Sequence, residues 1–462
     1  MFQFTSENQR SIFDFKIEFE GKLDPDNRWV KFAKLIDWDK FATIYTKSMS
    51  LKMGTRSIDA RIIIGALIIK HIERKDDRGT IEMIKENPYM QFFLGFDHFH
   101  KEAIFDPSLF VHIRKRLGNE DFDAMNQIII NKALDAENAS VQKKNTPKNK
   151  EKKDSEIQKT NENNADSSDV EHAKPLANHG KLQLDATICD ANIKFPTDLG
   201  LLNDAREKSE GIIDSLSQAL LIEKPRTYRR LARKAWLNIS KSKKNSKKTI
   251  LNGIKKQLNF LKRNLKSIDD ILIKYPDALT LLEKNEYHNL LIIKELYRQQ
   301  REMFAEKKHS IANRIVSISQ PNVRPMVRGK LGKNVEFGAK INISLEKGYA
   351  RINQFNFEAF NEGTFLIEQV EAYKQLHGFY PELLQTDGIY MTRENRKFLN
   401  HNNIRHTGKP LGRKPKEQLS PAAQRKLKQE RGERNHVESK FGQGKSKYGL
   451  NKIKAKLPST SE

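Results

Sequence analysis

The residues of this chain best suited to chemistry stand in the run Arg434-Asn435-His436-Val437-Glu438-Ser439-Lys440-Phe441-Gly442-Gln443-Gly444-Lys445. On a helix Arg434 and Glu438 are one turn apart. Lys445 follows about two turns beyond Glu438, so the three share one face. A lone carboxylate between two fixed cations suits a place where a metal meets a phosphodiester: the acid holds the metal and the cations hold phosphate oxygens. The same residues also read as an exposed Arg–Glu pair on a basic surface helix, worth about 0.3–0.5 kcal/mol. Two aspartates far upstream, Asp185 and Asp387, favour the first reading. Each stands at or near the end of a strand pattern, and three carboxylates gathered together repel one another unless cations neutralise them. Oxygen-only ligands select Mg²⁺ or Mn²⁺ over zinc.

The stretch Leu182-Gln183-Leu184-Asp185-Ala186-Thr187-Ile188 alternates as a strand. Leu182, Leu184, Ala186 and Ile188 face one way; Asp185 and Thr187 face the other. Strand propensity disfavours a carboxylate there, so Asp185 needs a reason. Asp190 falls where the strand should end, on the apolar side of the alternation. Residues 338–345 and 349–356 are two strands joined by Glu346-Lys347-Gly348, a hairpin signal. An amphipathic helix is expected from about 358 to 376, and a short strand over 382–386 that ends at Asp387-Gly388. Glycine there would let a ligand or another backbone come close. A short helix over 393–399, a strand over 403–407 and a basic loop over 409–416 follow. One helix from 422 to about 441 is expected to carry Glu438.

Residues 1–137 suggest a compact helical domain. Ser57 and Asp59 can cap a buried helix through Ile62, Leu67 and Ile72, and Thr80 can cap a shorter one that stops at Asn87-Pro88. Phe92, Phe93, Phe96, Phe99 and Phe105 supply core, and Asp106-Pro107-Ser108 opens a helix ending in Arg114-Lys115-Arg116. A short bundle with a basic final helix is similar to a DNA-reading head, and equally to a plain helical bundle with a basic edge. Residues 138–179 are polar and charged with almost no large apolar side chain, a linker by composition. Residues 204–318 are helical and strongly basic, with Ile254, Leu258, Leu261 and Leu265 at packing spacing. A helical pair or small bundle inserted after the first strand fits, with Arg229, Arg230, Arg233, Lys255, Lys256, Lys262 and Arg263 able to track a DNA backbone.

The 462 residues carry 84 Lys and Arg against 59 Asp and Glu, a net charge of +25. Such an excess favours a polyanionic partner, nucleic acid before an anionic membrane surface. The single cysteine, Cys189, excludes an intrachain disulfide and a Cys-based zinc site. The N-terminus has no signal-peptide pattern. The longest apolar run, 62–69, falls far short of the ~20 residues that span a bilayer. A soluble cytoplasmic protein is expected.

The order strand with Asp185, helical insertion, hairpin, helix, strand ending in Asp387, helix, strand, helix with Glu438 resembles that of bacterial DDE-type insertion-sequence transposases. The motifs that carry the resemblance are Leu184-Asp185-Ala186-Thr187, Thr386-Asp387-Gly388 and Arg434-x3-Glu438-x6-Lys445. Pro196-Thr197-Asp198-Leu199-Gly200-Leu201-Leu202-Asn203-Asp204-Ala205-Arg206 and the run 441–450 look like the insertion-sequence-five group. The resemblance covers nearly all the chain outside the linker. It implies an α/β, RNase H-like catalytic domain formed by 180–203 and 319–462, with the large helical insertion 204–318 after the first strand and a helical N-terminal domain, 1–137, before it. It implies Asp185, Asp387 and Glu438 as catalytic and metal-binding residues for two Mg²⁺ ions, with Mn²⁺ able to substitute. Arg434 and Lys445 would contact DNA phosphate near the scissile bond. The implied partners are double-stranded DNA, as terminal inverted repeats and as target, and further copies of the chain on DNA. The implied location is the nucleoid of a bacterial cytoplasm.

Two departures stand out. Many relatives carry a tyrosine three residues before the signature arginine; here the position is Arg431, able to take over a phosphate contact. Relatives also usually continue past the glutamate helix with a further apolar segment, whereas this chain stops at Ser459-Thr460-Ser461-Glu462. That suggests a truncated copy, and an alternative function: a catalytically disabled transposase that only binds DNA. A resolving or repair nuclease on the same fold is a third reading.

Overall fold

The computed structural model describes residues 22–47, 57–144, 177–242, 244–330, 333–410 and 420–456, together with Phe15, Met49 and Gly412. Most of the polar linker, 145–176, and most of the basic loop, 411 and 413–419, lie outside the described residues. The chain forms two compact units. The first comprises 1–185, 343–353 and 361–449, and the second 186–342, 354–360 and 450–462. The helical head and all of Asp185, Asp387 and Glu438 thus belong to the first unit, a division that cuts across the domains suggested by the sequence.

The first unit begins with helices α1 (Arg28–Leu35), α2 (Trp38–Thr46), α3 (Ala60–Glu73), α4 (Asp77–Glu86), α5 (Pro88–Phe93), α6 (Leu109–Arg116) and α7 (Asn119–Lys144). Asp59 caps α3 as expected, accepting from the Arg61 amide. The cap of α4 is Asp76, not Thr80, which sits inside the helix with its hydroxyl donating to the Asp76 carbonyl. Trp29, Trp38, Phe92, Phe93, Phe105 and Phe110 fill the core of the head, with Phe96 against its edge. The α6 cations are largely committed within the head. Arg114 makes a two-pronged bond to Asp77 at 2.9 Å, and Arg116 donates to the Tyr45 hydroxyl at 2.8 Å. The helix α7 runs on to Lys144, into the stretch whose composition reads as linker. Propensity extends a helix that tertiary contact has already nucleated.

Strand β1 (Lys181–Ala191) is longer than its alternation suggests and is buried on both faces, the mark of a central strand. It carries Asp185 in the first unit and continues as residues 186–191 of the second. There a helical bundle follows: α8 (Asp198–Ala219), α9 (Arg229–Ser240), α10 (Lys247–Lys274) and α11 (Lys284–Ala305). Ile254, Leu258, Leu261 and Leu265 are buried as their spacing requires, against Leu202, Ile213, Leu216 and Ile293. Thr197 caps α8. Two turns in, the Arg206 side chain, 1 % exposed, bonds Glu210 at 2.6 Å and Asn203 at 2.7 Å. Arg229 is likewise tied to Asp214 at 2.9 Å, whereas Arg230, Arg233, Lys255, Lys256, Lys262 and Arg263 are exposed.

Strands β2 (Arg324–Lys330), β3 (Lys333–Glu346) and β4 (Tyr349–Asn356) come next. Lys347 and Gly348 turn between β3 and β4 with φ of 47° and 88°, the left-handed pair that a tight hairpin requires. Gly338 on β3 is obligatory, because a Cβ there would stand 1.9 Å from the Cys189 carbonyl oxygen. The amphipathic helix begins later than its pattern suggests: a 3₁₀ turn, Glu362–Phe365, precedes α12 (Leu366–His377). Then come β5 (Leu383–Gln385), α13 (Arg393–His401), β6 (Arg405–His406), α14 (Pro421–Glu433), α15 (Asn435–Lys447) and β7 (Lys452–Ile453). The strands form one mixed sheet in the order β2-β3-β1-β5-β6, with β4 on β3 and β7 on β1; β1, β5 and β6 are parallel. Leu182, Leu184, Leu384, Leu366, Val370 and Leu399 form the core under β1 and β5. Among the described residues no helix is long and apolar enough to cross a membrane.

Candidate active site

Strand register sets the residues two before each aspartate side by side. Gln183 on β1 is level with Gln385 on β5, and their side-chain amides are hydrogen-bonded at 2.6 Å. They therefore point to the same face. Asp185, two residues further along β1, keeps that face, because strand side chains alternate. Asp387 stands two residues past Gln385 in the chain. The strand β5 has ended by then, and Asp387 is exposed and caps a short 3₁₀ turn, its Oδ1 accepting from the Gly388 amide at 2.6 Å. A Cβ added to Gly388 would meet nothing within 4 Å, so the space beside Asp387 is open.

The same two glutamines staple the third element into place. Gln183 Nε2 donates to the Glu433 carbonyl at 3.0 Å, and Gln385 Nε2 to the Glu430 carbonyl at 2.6 Å. These carbonyls belong to the last turn of α14, where intrahelical partners run out. Lys181 adds an ion pair with Glu433 at 2.8 Å, and Arg405 one with Glu430 at 3.1 Å. The Lys181 bond holds the Glu433 carboxyl below its usual value, outweighing a smaller opposing push from burial. Arg431, at the position where relatives carry tyrosine, donates through Nε to the Thr407 carbonyl at 3.1 Å and so fastens α14 to the end of β6.

The expected single helix is in fact two. It breaks at Arg434, between α14 and α15. Gly432 and Asn435, weak helix formers, flank the junction. Arg434 keeps helical torsions, so the one-turn relation to Glu438 survives. Its guanidinium stands 3.3 Å from Asp185 Oδ2 and 3.4 Å from Glu438 Oε1. Val437 and Phe441 bury the opposite side of α15, which leaves Glu438 59 % exposed. Lys445 lies in the last turn of α15, where a cation is favoured by the helix dipole, and is bonded to no other described residue.

The structure thus brings Asp185, Arg434 and Glu438 together, with Asp387 just past the end of β5, the strand next to β1. Among the described residues the three carboxylates do not close to within 4.8 Å of one another. The guanidinium lies between two of them, so a cation's charge already stands where the carboxylates need one. The donor set, three carboxylates with an open approach at Asp387, suits a hard divalent ion such as Mg²⁺ or Mn²⁺. What sequence reasoning missed is the staple. Gln183 shares the alternating face of Asp185, and Gln385 stands two residues before Asp387. That parity was legible, but not that the two amides meet.

Residues 17–116 match a Transposase domain (DUF772), and residues 384–462 match a Transposase DDE domain. Over these two segments the chain is similar to DDE-type transposases. The DDE match contains Asp387, Arg434, Glu438 and Lys445, whereas Asp185 lies outside both matches and is tied to the others by geometry. The chain is also similar to the uncharacterized protein ORF8 in the nfe locus of Rhizobium meliloti, 28 % identical over 120 residues. The match takes in 26 % of this chain and 58 % of that protein's length. No solved structure matches the chain.

Proposed function

We propose that the chain is a transposase of the insertion-sequence-five type. It binds the terminal inverted repeats of its element and, with Mg²⁺, cuts phosphodiesters and joins the freed 3′ ends to target DNA. Asp185, Asp387 and Glu438 are its catalytic and metal-binding carboxylates, on an RNase H-like sheet. The observation that supports this most is Arg434: one guanidinium touches Asp185 and Glu438, residues far apart in sequence.

Bound divalent ions would supply activation of the attacking water or 3′-hydroxyl and stabilisation of the leaving oxygen. The chain's own residues do the rest. Asp185 and Asp387 each follow by two residues a glutamine of the bonded pair that joins β1 to β5. Glu438 is presented by a helix whose predecessor is stapled to the same two strands. Arg434 exchanges a carboxylate for a phosphate oxygen, a stronger two-pronged partner when the substrate arrives. Lys445, two turns on, holds the next stretch of backbone. The exposed cations of α9 and α10 supply salt-dependent affinity for DNA without reading sequence. Further copies of the chain assemble on the two element ends.

The test is cleavage of a labelled duplex carrying the element's own end, with Mg²⁺, by the parent chain and by Asp387→Asn. The expected outcome is end-specific nicking by the parent alone, with DNA binding nearly equal in the two. Nicking retained in the variant would remove Asp387 from the triad. Binding without nicking by the parent would leave a DNA-binding protein and refute the enzyme.

A further inference from the structure

The loop between α5 and α6 carries Asp97, His98 and His100, and nothing in the chemistry above uses them. One ligand atom from each side chain lies within 4.8 Å of those of the other two. Asp97 Oδ1 stands 2.6 Å from His98 Nδ1, and the two imidazoles face each other at 4.1 Å between ring centres. Metal–ligand bonds of about 2.0–2.2 Å put ligand atoms on one ion up to roughly 4 Å apart, so modest side-chain rotation closes this set.

The loop is anchored. Gln91, 0 % exposed, accepts from the His100 amide at 2.7 Å through its side-chain oxygen. Its amide nitrogen donates to the His100 carbonyl at 2.8 Å and to the carbonyls of Ile84 and Lys85. A single buried amide thus ties the backbone of one ligand to the end of α4. The Phe96 ring meets the His100 ring edge-on at 4.5 Å, limiting how far that imidazole can turn. Two carboxylates, Asp97 and Glu102, stand in the same loop as the two imidazoles, in a chain of charge +25.

We propose that Asp97, His98 and His100 bind one transition-metal dication of the Zn²⁺ or Co²⁺ class, which pins the loop joining α5 to α6. Two imidazoles and one carboxylate select borderline ions over Mg²⁺. The site is therefore chemically separate from the oxygen-only carboxylates around Arg434, and the proposal stands whether or not the chain cuts DNA. Glu102 or water completes the coordination. The metal's role is structural: it clamps the segment leading into α6, whose Arg114 and Arg116 are locked against Asp77 and Tyr45.

The test is a Co²⁺ titration of the full chain in excess Mg²⁺, read by the visible absorption of low-coordinate Co²⁺ and reversed by Zn²⁺. A saturable, stoichiometric band is expected. It is expected to persist in Asp387→Asn and to vanish in the double variant His98→Ala/His100→Ala. In Asp97→Asn the affinity should fall by about 10–100-fold or more. These side chains are largely exposed, so far-UV circular dichroism of the variants should match the parent. A second measurement needs no variant: added Zn²⁺ should slow amide exchange in residues 96–105 of the parent. No saturable band, a band that survives the double variant, a band lost in Asp387→Asn, or exchange in 96–105 indifferent to Zn²⁺ would each overturn the proposal.

Discussion

Replacing Gln385 with leucine should loosen α14, the helix before the one that carries Glu438, while removing no charged side chain. Gln385 is fully buried and makes two short bonds, one to Gln183 and one to the Glu430 carbonyl, and a longer one of 3.4 Å to the Glu433 carboxylate. Leucine of similar size removes all three. Each neutral hydrogen bond contributes about 1 kcal/mol, and a buried partner left unsatisfied costs about 1–3 kcal/mol more. The Glu430 carbonyl stands in the last turn of α14, where a replacement partner is scarce, while the Gln183 amide keeps its bond to Glu433. Together these give about 2–4 kcal/mol against the docked state of α14. The assay is native-state amide exchange, which reads local opening directly. Amides of α14 should exchange about 30- to 1,000-fold faster, since each 1.4 kcal/mol is tenfold, while those of α3 and α10 should not change. Cleavage should fall with docking, and Gln183→Leu/Gln385→Leu should cost less than the sum of the two single changes. Unchanged exchange in α14, or additive single variants, would refute the staple.

Three further outcomes follow from the same geometry. Arg434→Ala should reduce cleavage at least about tenfold and lower the salt dependence of DNA binding by about one phosphate contact; a variant that cuts as well as the parent would remove Arg434 from the site. The Glu433 carboxyl is held below its ordinary 4.5 by Lys181. Its contribution to α14 docking is therefore complete above that value and lost as pH falls through the lower folded-state value. Protection of α14 should drop on acidification through that window, and Glu433→Gln should flatten the profile. Arg206→Ala leaves the buried Glu210 carboxylate with Arg229 alone, at 3.8 Å, and should destabilise the helical insertion by about 3 kcal/mol, with Arg206→Met/Glu210→Leu costing less. Denaturant unfolding followed by the fluorescence of Trp236, on α9, checks both; equal losses would show that the pair is not coupled.

Charge alone does not say which cations are free. Arg206 is buried and bonded to Asn203 and Glu210, three and four residues away on the same helix. Arg229, one of the basic residues of the insertion, is held by Asp214. The head is a similar case. Arg114 and Arg116 form a basic helix end in the sequence and a pair of internal struts in the fold.

What the sequence determined by itself was the set of chemical groups and their local frame. Alternation placed Asp185 on a strand, one-turn spacing joined Arg434 to Glu438, and helical spacing buried Ile254 through Leu265. These follow from periods of two and 3.6 residues, which are properties of the chain a few residues at a time. Only the tertiary structure decided the rest. The parallel register of β1 with β5 set Gln183 beside Gln385, two residues before Asp185 and Asp387. That glutamine pair captured α14, and the break at Arg434 set a guanidinium between two of the three carboxylates. Register and docking depend on the summed fit of elements some two hundred residues apart. No local period carries that sum.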